Sequence, residues 1–184
     1  MDLNLTDKRV LITGGTKGLG EEMVRAFLRS GARVVTSFRA DCDAADRLVE
    51  SLRGQYPGRL FVRQFDVAEQ ADAVELVRYA EKTLGALDAL VNNAAVMDTP
   101  GKDVFSFDDE DFDQTFHTNV RGLIYVTRVA ITTMIHRGKG HIVNMSSAGV
   151  YTANPREVFY ACSKAAVEAQ RAPSLGLALH LESP

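Results

Sequence analysis

The sequence predicts an α/β fold with a doubly wound parallel sheet, in which helices pack on both faces of the sheet. Short β-branched runs alternate with longer amphipathic segments along the chain. The strand-like runs are apolar almost throughout, as expected of strands that are buried on both faces. Because strands and helices in regular alternation form right-handed crossovers, the strands are expected to run parallel to one another.

The predicted elements follow in order along the chain. Strands are expected at RVLIT, RVVTSF, RLFVRQF, LDALVN and HIVNMS. Helices are expected at 18–30, 43–53, 69–84, about 108–137, and from about 158 onward. The fourth helix begins in the acidic run DDEDFD, which favours the positive end of a helix dipole; a recruitment surface is the alternative interpretation of this run.

Length, charge and cysteine content restrict the function. The 184 residues, of which 46% are hydrophobic, suit one domain spanning residues 1–184. A formal charge of −3, with no run of lysine or arginine, predicts no nucleic-acid partner. The N-terminus lacks the features of a signal peptide, and no apolar run approaches the roughly 20 residues that cross a bilayer. Cys42 and Cys162 are too few for a disulfide framework, so we expect a reduced, cytoplasmic protein without a membrane anchor. Neither these cysteines nor the four histidines show ligand spacing, so no metal site is expected.

A glycine-rich turn, TGGTKGLG at 13–20, leads from the first strand into a helix. Gly14, Gly18 and Gly20 let the backbone approach a pyrophosphate closely, and the helix N-terminus offers free N–H groups to an anion. The spacing G-x-x-x-G-x-G matches neither G-x-G-x-x-G nor the P-loop. Alone, the turn therefore indicates either a nucleotide site or a structural loop.

The second strand ends without an acidic residue. Phe38 occupies the position where a ribose-binding Asp or Glu is expected, and Arg39 follows it. Arg39 and Lys17 of the glycine turn are therefore predicted to bind a 2′-phosphate. Two unrelated surface charges are the alternative.

Later strands also end in polar residues. The third strand ends at Asp66, the fourth runs into Asn92 and Asn93, and the helical region beyond contains Asn119. Ligands of open α/β sheets bind outside the carboxyl ends of the strands. These residues are therefore predicted to face a ligand rather than to cap buried turns.

The stretch FYACSKAAVEA places Tyr160 and Lys164 four residues apart, so that they are neighbours on one helix face. Ser147, at the end of the fifth predicted strand, precedes Tyr160 by thirteen residues. An ordinary amphipathic helix is the alternative interpretation of the stretch.

In combination, these motifs resemble the short-chain dehydrogenase/reductase family in its short single-domain form, from residue 5 to about 172. TGGTKGLG is similar to the T-G-x-x-x-G-x-G loop of that family, and NNAA to its N-N-A-G, with Ala95 in place of the glycine. Ser147 with Tyr160-x-x-x-Lys164 is similar to its catalytic pattern, and Asn119 lies where the family has a fourth catalytic residue. The resemblance implies a Rossmann-type, three-layer αβα domain.

The resemblance also implies a role for each catalytic residue. Tyr160 would act as general acid/base, and Lys164 would favour the phenolate and bind the nicotinamide ribose. Ser147 would hold the substrate oxygen, and Asn119 would position a water between Lys164 and solvent. The expected cofactor is NADP(H) in preference to NAD(H), bound by Gly14, Thr16, Lys17, Gly18, Leu19, Gly20, Arg39, Asp66, Val67, Asn93, Ala94, Tyr160 and Lys164.

The implied activity is that of an NADP(H)-dependent oxidoreductase that interconverts a carbonyl and a secondary alcohol on a small molecule, as a homodimer or homotetramer. Family members usually continue with two more strands and a substrate-covering loop, whereas here Pro173 interrupts the last helix and SLGLALHLESP follows. That tail can be read as helix or as strand. We therefore expect a truncated C-terminus without the last strands. The rival function is a catalytically weak or silent cofactor-binding or interaction protein that has lost the substrate-covering segment.

Overall fold

Within the residues that the structure describes, five strands form the sheet that the sequence predicts. The computed structural model describes residues 5–97, 102–152 and 154–170. Its strands are Arg9–Ile12 (β1), Arg33–Phe38 (β2), Leu60–Gln64 (β3), Ala89–Asn92 (β4) and His141–Asn144 (β5). They pair in the order β3-β2-β1-β4-β5, and every pair is parallel. The predicted parallel α/β architecture is confirmed.

The helices also lie where the sequence predicts them. They are Gly18–Arg29 (α1), Cys42–Ser51 (α2), Gln70–Leu84 (α3), Asp109–Phe116 (α4), Leu123–His136 (α5) and Val158–Ala169 (α6). A π-helical turn, His117–Gly122, joins α4 to α5, and a 3-10 turn, Ala148–Tyr151, follows β5. The sequence predicted a helical region over about 108–137, which the structure confirms, and did not distinguish the π-turn within it.

Apolar side chains fill both faces of the sheet. One cluster, which includes Leu11 and Leu76, lies between the sheet and the pair α3 and α5. The other, which includes Ile12 and Leu28, lies between the sheet and the pair α1 and α2. Leu11 and Ile12 are neighbours on β1 and point to opposite faces, as alternation along a strand requires. The central strand is therefore buried on both sides.

Successive strands are added first on one side of β1 and then on the other. The chain adds β2 and β3 on one side of β1, and then crosses through α3 to place β4 on the other side. At such a reversal the connections leave the carboxyl ends of the two central strands in opposite directions, which opens a crevice there. The fold therefore predicts a ligand site above β1 and β4.

The outer strand β5 differs from the prediction of burial on both faces. Val143 on this strand is 47% exposed. The residues after position 170, with Pro173 and the leucine-rich tail, lie outside the described residues. The expectation of a truncated C-terminus without the last strands remains a prediction.

The acidic run at 108–113 starts a helix. The Asp108 side chain accepts a hydrogen bond from the Asp111 N–H, and the Asp111 side chain accepts one from the Asp108 N–H. This reciprocal capping box satisfies two N–H groups that a helix start leaves without partners. The helix-start interpretation of the run is confirmed.

Candidate active site

A cleft of about 610 Å³ opens at the carboxyl ends of the central strands, where the reversal of strand order predicts it. It contains every predicted cofactor-binding residue except Lys164: Gly14, Thr16, Lys17, Gly18, Leu19, Gly20, Arg39, Asp66, Val67, Asn93, Ala94 and Tyr160. Of the four predicted catalytic residues, only Tyr160 lines it; Asn119, Ser147 and Lys164 do not.

The glycine turn forms one wall of the cleft and leads directly into α1. Gly14 has φ +67°, a conformation that glycine adopts at little cost. A Cβ on Gly20 would contact the carbonyl oxygen of Gly14 and lie 2.5 Å from Nδ2 of Asn93, so the turn packs too closely for any side chain there. The N-terminus of α1 thus approaches the cleft with its unbonded N–H groups, which suits a phosphate.

Hydrogen bonds from neighbouring strands fix the glycine turn. Nδ2 of Asn93 donates to the carbonyl oxygens of Thr13 and Gly14, both at 2.9 Å. Oγ1 of Thr13 in turn accepts from the N–H groups of Asn93 and Ala94, each at 3.0 Å. Asn93 therefore both lines the cleft and holds the turn, whereas the sequence predicted only the first role.

Asn92, also predicted to face a ligand, does not line the cleft. Its Nδ2 donates to Oγ1 of Thr127 on α5 at 2.8 Å and to Oδ1 of Asn144 on β5 at 2.9 Å. The reason is strand alternation: adjacent residues at a strand end point in different directions, so only one of the two asparagines can face the cleft. Asn92 therefore joins β4 to α5 and β5.

Charged groups surround the end of β2. Arg39 is exposed and, like Phe38, lines the cleft. Nζ of Lys17 lies 3.1 Å from Oδ2 of Asp41, which also lines the cleft. Oδ1 of Asp41 accepts a hydrogen bond from the Ala44 N–H and caps α2. That N–H and Lys17 hold the pKa of the Asp41 carboxyl below its usual value.

Sequence reasoning missed Asp41, because helix capping is the ordinary explanation of an aspartate at that position. Its distance of two residues from Arg39 was the available signal. Asp41 brings a negative charge to the place where a 2′-phosphate is predicted.

Asp66 bounds the other end of the cleft, after β3. Its Oδ1 accepts from the Ala68 N–H at 2.9 Å, and its own N–H donates to Oδ2 of Asp72 at 3.0 Å. These bonds turn the chain sharply into α3. Asp66 and Val67 therefore line the cleft at fixed positions.

The Tyr160 and Lys164 side chains lie on one face of α6, as their spacing predicts. Nζ of Lys164 is 5.7 Å from the centroid of the Tyr160 ring and donates to the carbonyl oxygen of Met145 at 2.7 Å. Lys164 is only 3% exposed, and burial lowers its pKa to about 8. The amine is thus close to the tyrosine but lies beneath the cleft surface.

Ser147 follows β5 and begins the 3-10 turn. Its Oγ accepts a hydrogen bond from the Gly149 N–H at 3.1 Å. That bond uses an oxygen lone pair and not the hydroxyl hydrogen, so the hydrogen remains available to another acceptor.

Asn119 lies in the π-turn and is 1% exposed. Its Oδ1 accepts from the Val96 N–H at 2.8 Å, and its Nδ2 donates to the Val96 carbonyl and to Oγ of Ser163, both at 2.9 Å. Both amide hydrogens and one lone pair are therefore engaged, which leaves a single lone pair on the side chain for a water. Its bonds join the cleft wall to α6.

The residues of the cleft fit a nicotinamide dinucleotide. The glycine turn brings backbone N–H groups to the cleft with no side chain at Gly14 or Gly20 in the way. Two cations, Arg39 and Lys17, line the cleft near the end of β2. The cleft volume is large enough for most of a cofactor-sized ligand. Tyr160, which the sequence predicts to transfer a proton, lies in the same cleft.

Comparison with known proteins gives a consistent result. The family model described as short chain dehydrogenase matches residues 8–172. A short-chain type dehydrogenase/reductase of Picea abies is 32% identical over 163 residues, which cover 86% of this chain and 60% of that protein. The xanthoxin dehydrogenase of Arabidopsis thaliana is 34% identical over 163 residues, covering 89% of this chain and 57% of that protein.

A solved structure, ElxO with NADP bound, has a TM-score of 0.80 at 29% identity, covering 89% of this chain and 65% of that chain. This chain therefore spans less than two thirds of the length of all three proteins. In the parts of the chain that the structure describes, no helix is long and apolar enough to cross a membrane.

Proposed function

This chain belongs to the short-chain dehydrogenase/reductase family, and from that premise we propose that it is an NADP(H)-dependent oxidoreductase that interconverts a carbonyl and a secondary alcohol. The observation that carries the proposal is the presence of Tyr160 in the same cleft as the glycine turn. Hydride chemistry at a carbonyl needs a group that transfers a proton beside the dinucleotide.

The cofactor would be held by the glycine turn, the N-terminus of α1 and the strand ends at Asp66 and Asn93. When bound, it supplies or accepts the hydride. Arg39 and Lys17 favour NADP(H) over NAD(H), because each can form a charge-assisted hydrogen bond with a 2′-phosphate. Phe38 offers no acceptor to an unphosphorylated ribose.

Tyr160 would transfer the proton. In the direction of reduction its hydroxyl donates a proton to the carbonyl oxygen, and in the direction of oxidation the phenolate accepts one. Ser147 would donate a hydrogen bond to the same oxygen, because its bond with Gly149 leaves the hydroxyl hydrogen available.

Lys164 would support both the tyrosine and the ribose. An ammonium group has three N–H donors, and one is used by the Met145 carbonyl. A pKa of about 8 leaves the amine mainly charged at neutral pH, so that it favours the phenolate. Asn119 would contribute by holding Val96 in the cleft wall and Ser163 on α6, with one lone pair available to a water.

We further propose that residues 1–184 form one domain that contains both the dinucleotide site and the catalytic residues. Its substrate would be a small molecule, it would bind no nucleic acid, and it would act in the cytoplasm. Exposed aromatic side chains near α4, with Phe105 at 95% and Phe112 at 42%, support assembly into a homodimer or homotetramer.

The rival function is a catalytically weak or silent protein that binds the cofactor. One observation favours it: Ser147 and Lys164 do not line the cleft. The two functions differ in turnover and agree in cofactor binding. They can therefore be separated by an experiment that measures both.

The test replaces Tyr160 by phenylalanine, which keeps the ring and removes the hydroxyl. We expect turnover of a panel of ketones with NADPH to fall by a factor on the order of 10² to 10⁴. The dissociation constant for NADPH, from fluorescence titration, and the melting temperature should stay close to wild type. Tyr125→Phe on α5 is the matched control and should retain turnover. Retained turnover in folded Tyr160→Phe would show that Tyr160 is not the residue that transfers the proton. NADPH binding without turnover in the wild type would favour the rival function.

A further inference from the structure

The loop that carries Ser147 is attached to α6 on both sides of that residue. Oγ of Ser146 donates to Oε1 of Glu168 at 2.7 Å, and the hydroxyl of Tyr151 donates to Oε2 of Glu168 at 2.8 Å. The backbone of Met145 is attached to α6 as well, through Lys164. One carboxylate therefore joins the residue before Ser147 to the end of the 3-10 turn after it.

Glu168 shares a helix face with the catalytic pair. It follows Lys164 by four residues and Tyr160 by eight, so the three side chains lie in one row along α6. The hydrogen bonds from Ser146 and Tyr151 lower the pKa of the Glu168 carboxyl, and the bond to Glu168 raises the pKa of the Tyr151 hydroxyl. At neutral pH an ionised acceptor therefore receives two neutral donors, which is the stronger kind of hydrogen bond.

We propose that Glu168 is a positioning residue for Ser147: by joining Ser146 and Tyr151 to α6, it holds the Ser147 hydroxyl at a fixed place relative to Tyr160. This inference rests on the proposed function, in which Ser147 and Tyr160 address the same substrate oxygen. A shift of about 1 Å in such a pair can lower the rate by a factor on the order of 100.

If Glu168 only stabilised the fold, its replacement would lower the melting temperature, kcat and NADPH affinity together. Tyr151 is 79% exposed, so its hydroxyl is largely hydrated in the folded protein as well as in the unfolded chain. The exposed Tyr151 bond therefore contributes little to the stability of the fold, and the Ser146 bond is only partly buried. The loss of these bonds should therefore alter the loop more than the stability of the whole protein.

The experiment compares wild type, Glu168→Gln, the double variant Ser146→Ala/Tyr151→Phe, and the triple variant that carries all three substitutions. Glu81→Gln on α3 removes the same charge from another half-buried glutamate and is the matched control. Four quantities are measured: amide hydrogen exchange over residues 145–151, kcat for ketone reduction with NADPH, the dissociation constant for NADPH, and the melting temperature.

We expect Glu168→Gln to speed exchange in this segment several-fold and to lower kcat about tenfold, with NADPH affinity within twofold of wild type. The double variant should reproduce these changes, and the triple variant should add nothing, because all three side chains act through one contact. Glu81→Gln should match wild type throughout.

Two results would overturn the proposal: unchanged exchange in residues 145–151, or a parallel loss of kcat, NADPH affinity and melting temperature. If even the wild type reduces no ketone in the panel, the proposed function fails independently. The exchange measurement then decides alone whether Glu168 holds the loop.

Discussion

The ammonium of Lys164 donates a hydrogen bond of 2.7 Å to the carbonyl oxygen of Met145. Lys164 is only 3% exposed. Removal from water disfavours the charged form of an amine. Burial accordingly lowers the pKa of Lys164 from its ordinary 10.5 to about 8. The folded protein therefore releases this proton more readily than the unfolded chain does.

The lowered pKa of Lys164 predicts how stability changes with pH. Between about pH 8 and pH 10.5 the unfolded chain binds more protons at this site than the folded protein, so the free energy of unfolding should rise with pH in that window. Across the whole window, the titration of Lys164 should raise the free energy of unfolding by about 3 kcal/mol. Urea denaturation without cofactor, at a series of pH values, measures it.

The matched variant for this measurement is Lys164→Met, which keeps an unbranched side chain one atom shorter and removes the titrating group. The difference in unfolding free energy, wild type minus variant, should increase from pH 8 to pH 10.5 and stay constant below pH 7. Parallel profiles for the two proteins would show that the Lys164 pKa is not lowered by folding.

Arg39 should determine the choice of cofactor. Arg39→Ala removes a charge-assisted hydrogen bond to the 2′-phosphate, so NADPH affinity should fall roughly 10- to 100-fold while NADH affinity changes less than twofold. Arg29→Ala, at the far end of α1, is the control and should affect neither. Equal affinity of the wild type for the two cofactors, in fluorescence titrations at one ionic strength, would contradict the proposed preference.

Asp41 is expected to act in the opposite direction. Its carboxylate pairs with Lys17 and places a negative charge in the cleft. Asp41→Asn keeps a side-chain oxygen that can cap α2, and it should strengthen NADPH binding several-fold by releasing Lys17. Because the pair is exposed, the gain should shrink at high salt. A loss of NADPH affinity would indicate that Asp41 contributes to the cofactor site directly.

Gly20 should tolerate no side chain. A Cβ there would contact Gly14 and Asn93, so Gly20→Ala must push the glycine turn away from the strand end. We expect the free energy of unfolding to fall by about 1–3 kcal/mol and NADPH affinity to fall at least tenfold. Gly54→Ala is the control, because Gly54 has φ +75° and no atom within 4 Å of its Cβ position. It should cost about 1 kcal/mol from backbone strain alone and leave cofactor affinity unchanged.

Asn119 should matter for stability. Asn119→Leu leaves the N–H and the carbonyl of Val96 without the partners they have now, and removes a donor from Ser163. We expect a loss of about 2–4 kcal/mol in the free energy of unfolding, measured by urea denaturation. Asn154→Ala, an exposed asparagine bonded to Glu157, should change stability by less than about 0.5 kcal/mol. An unchanged stability for Asn119→Leu would leave water binding as the main role of this residue.

The sequence was sufficient for the parallel sheet, the order of the elements and many of the residues that line the cleft. These features depend on local properties: apolar runs form strands, amphipathic runs form helices, and glycines permit the turn after β1. Because parallel strands end at the same edge, residues such as Asp66 and Asn93 could be expected to lie together without knowledge of the packing.

Other features were decided only by the tertiary structure. Asn92 and Asn93 look alike in the sequence, yet Asn92 joins β4 to α5 and β5 while Asn93 faces the cleft. The contact of Glu168 with Ser146 and Tyr151 spans at least seventeen residues, so no local pattern predicts it.

Sequence spacing determined that Tyr160 and Lys164 share a helix face, but only the packing determined that the tyrosine lines the cleft while the lysine lies buried against Met145. The physical reason is that periodicity describes a side chain relative to its own helix. Its burial, its partners and its pKa depend on which other elements pack against that helix.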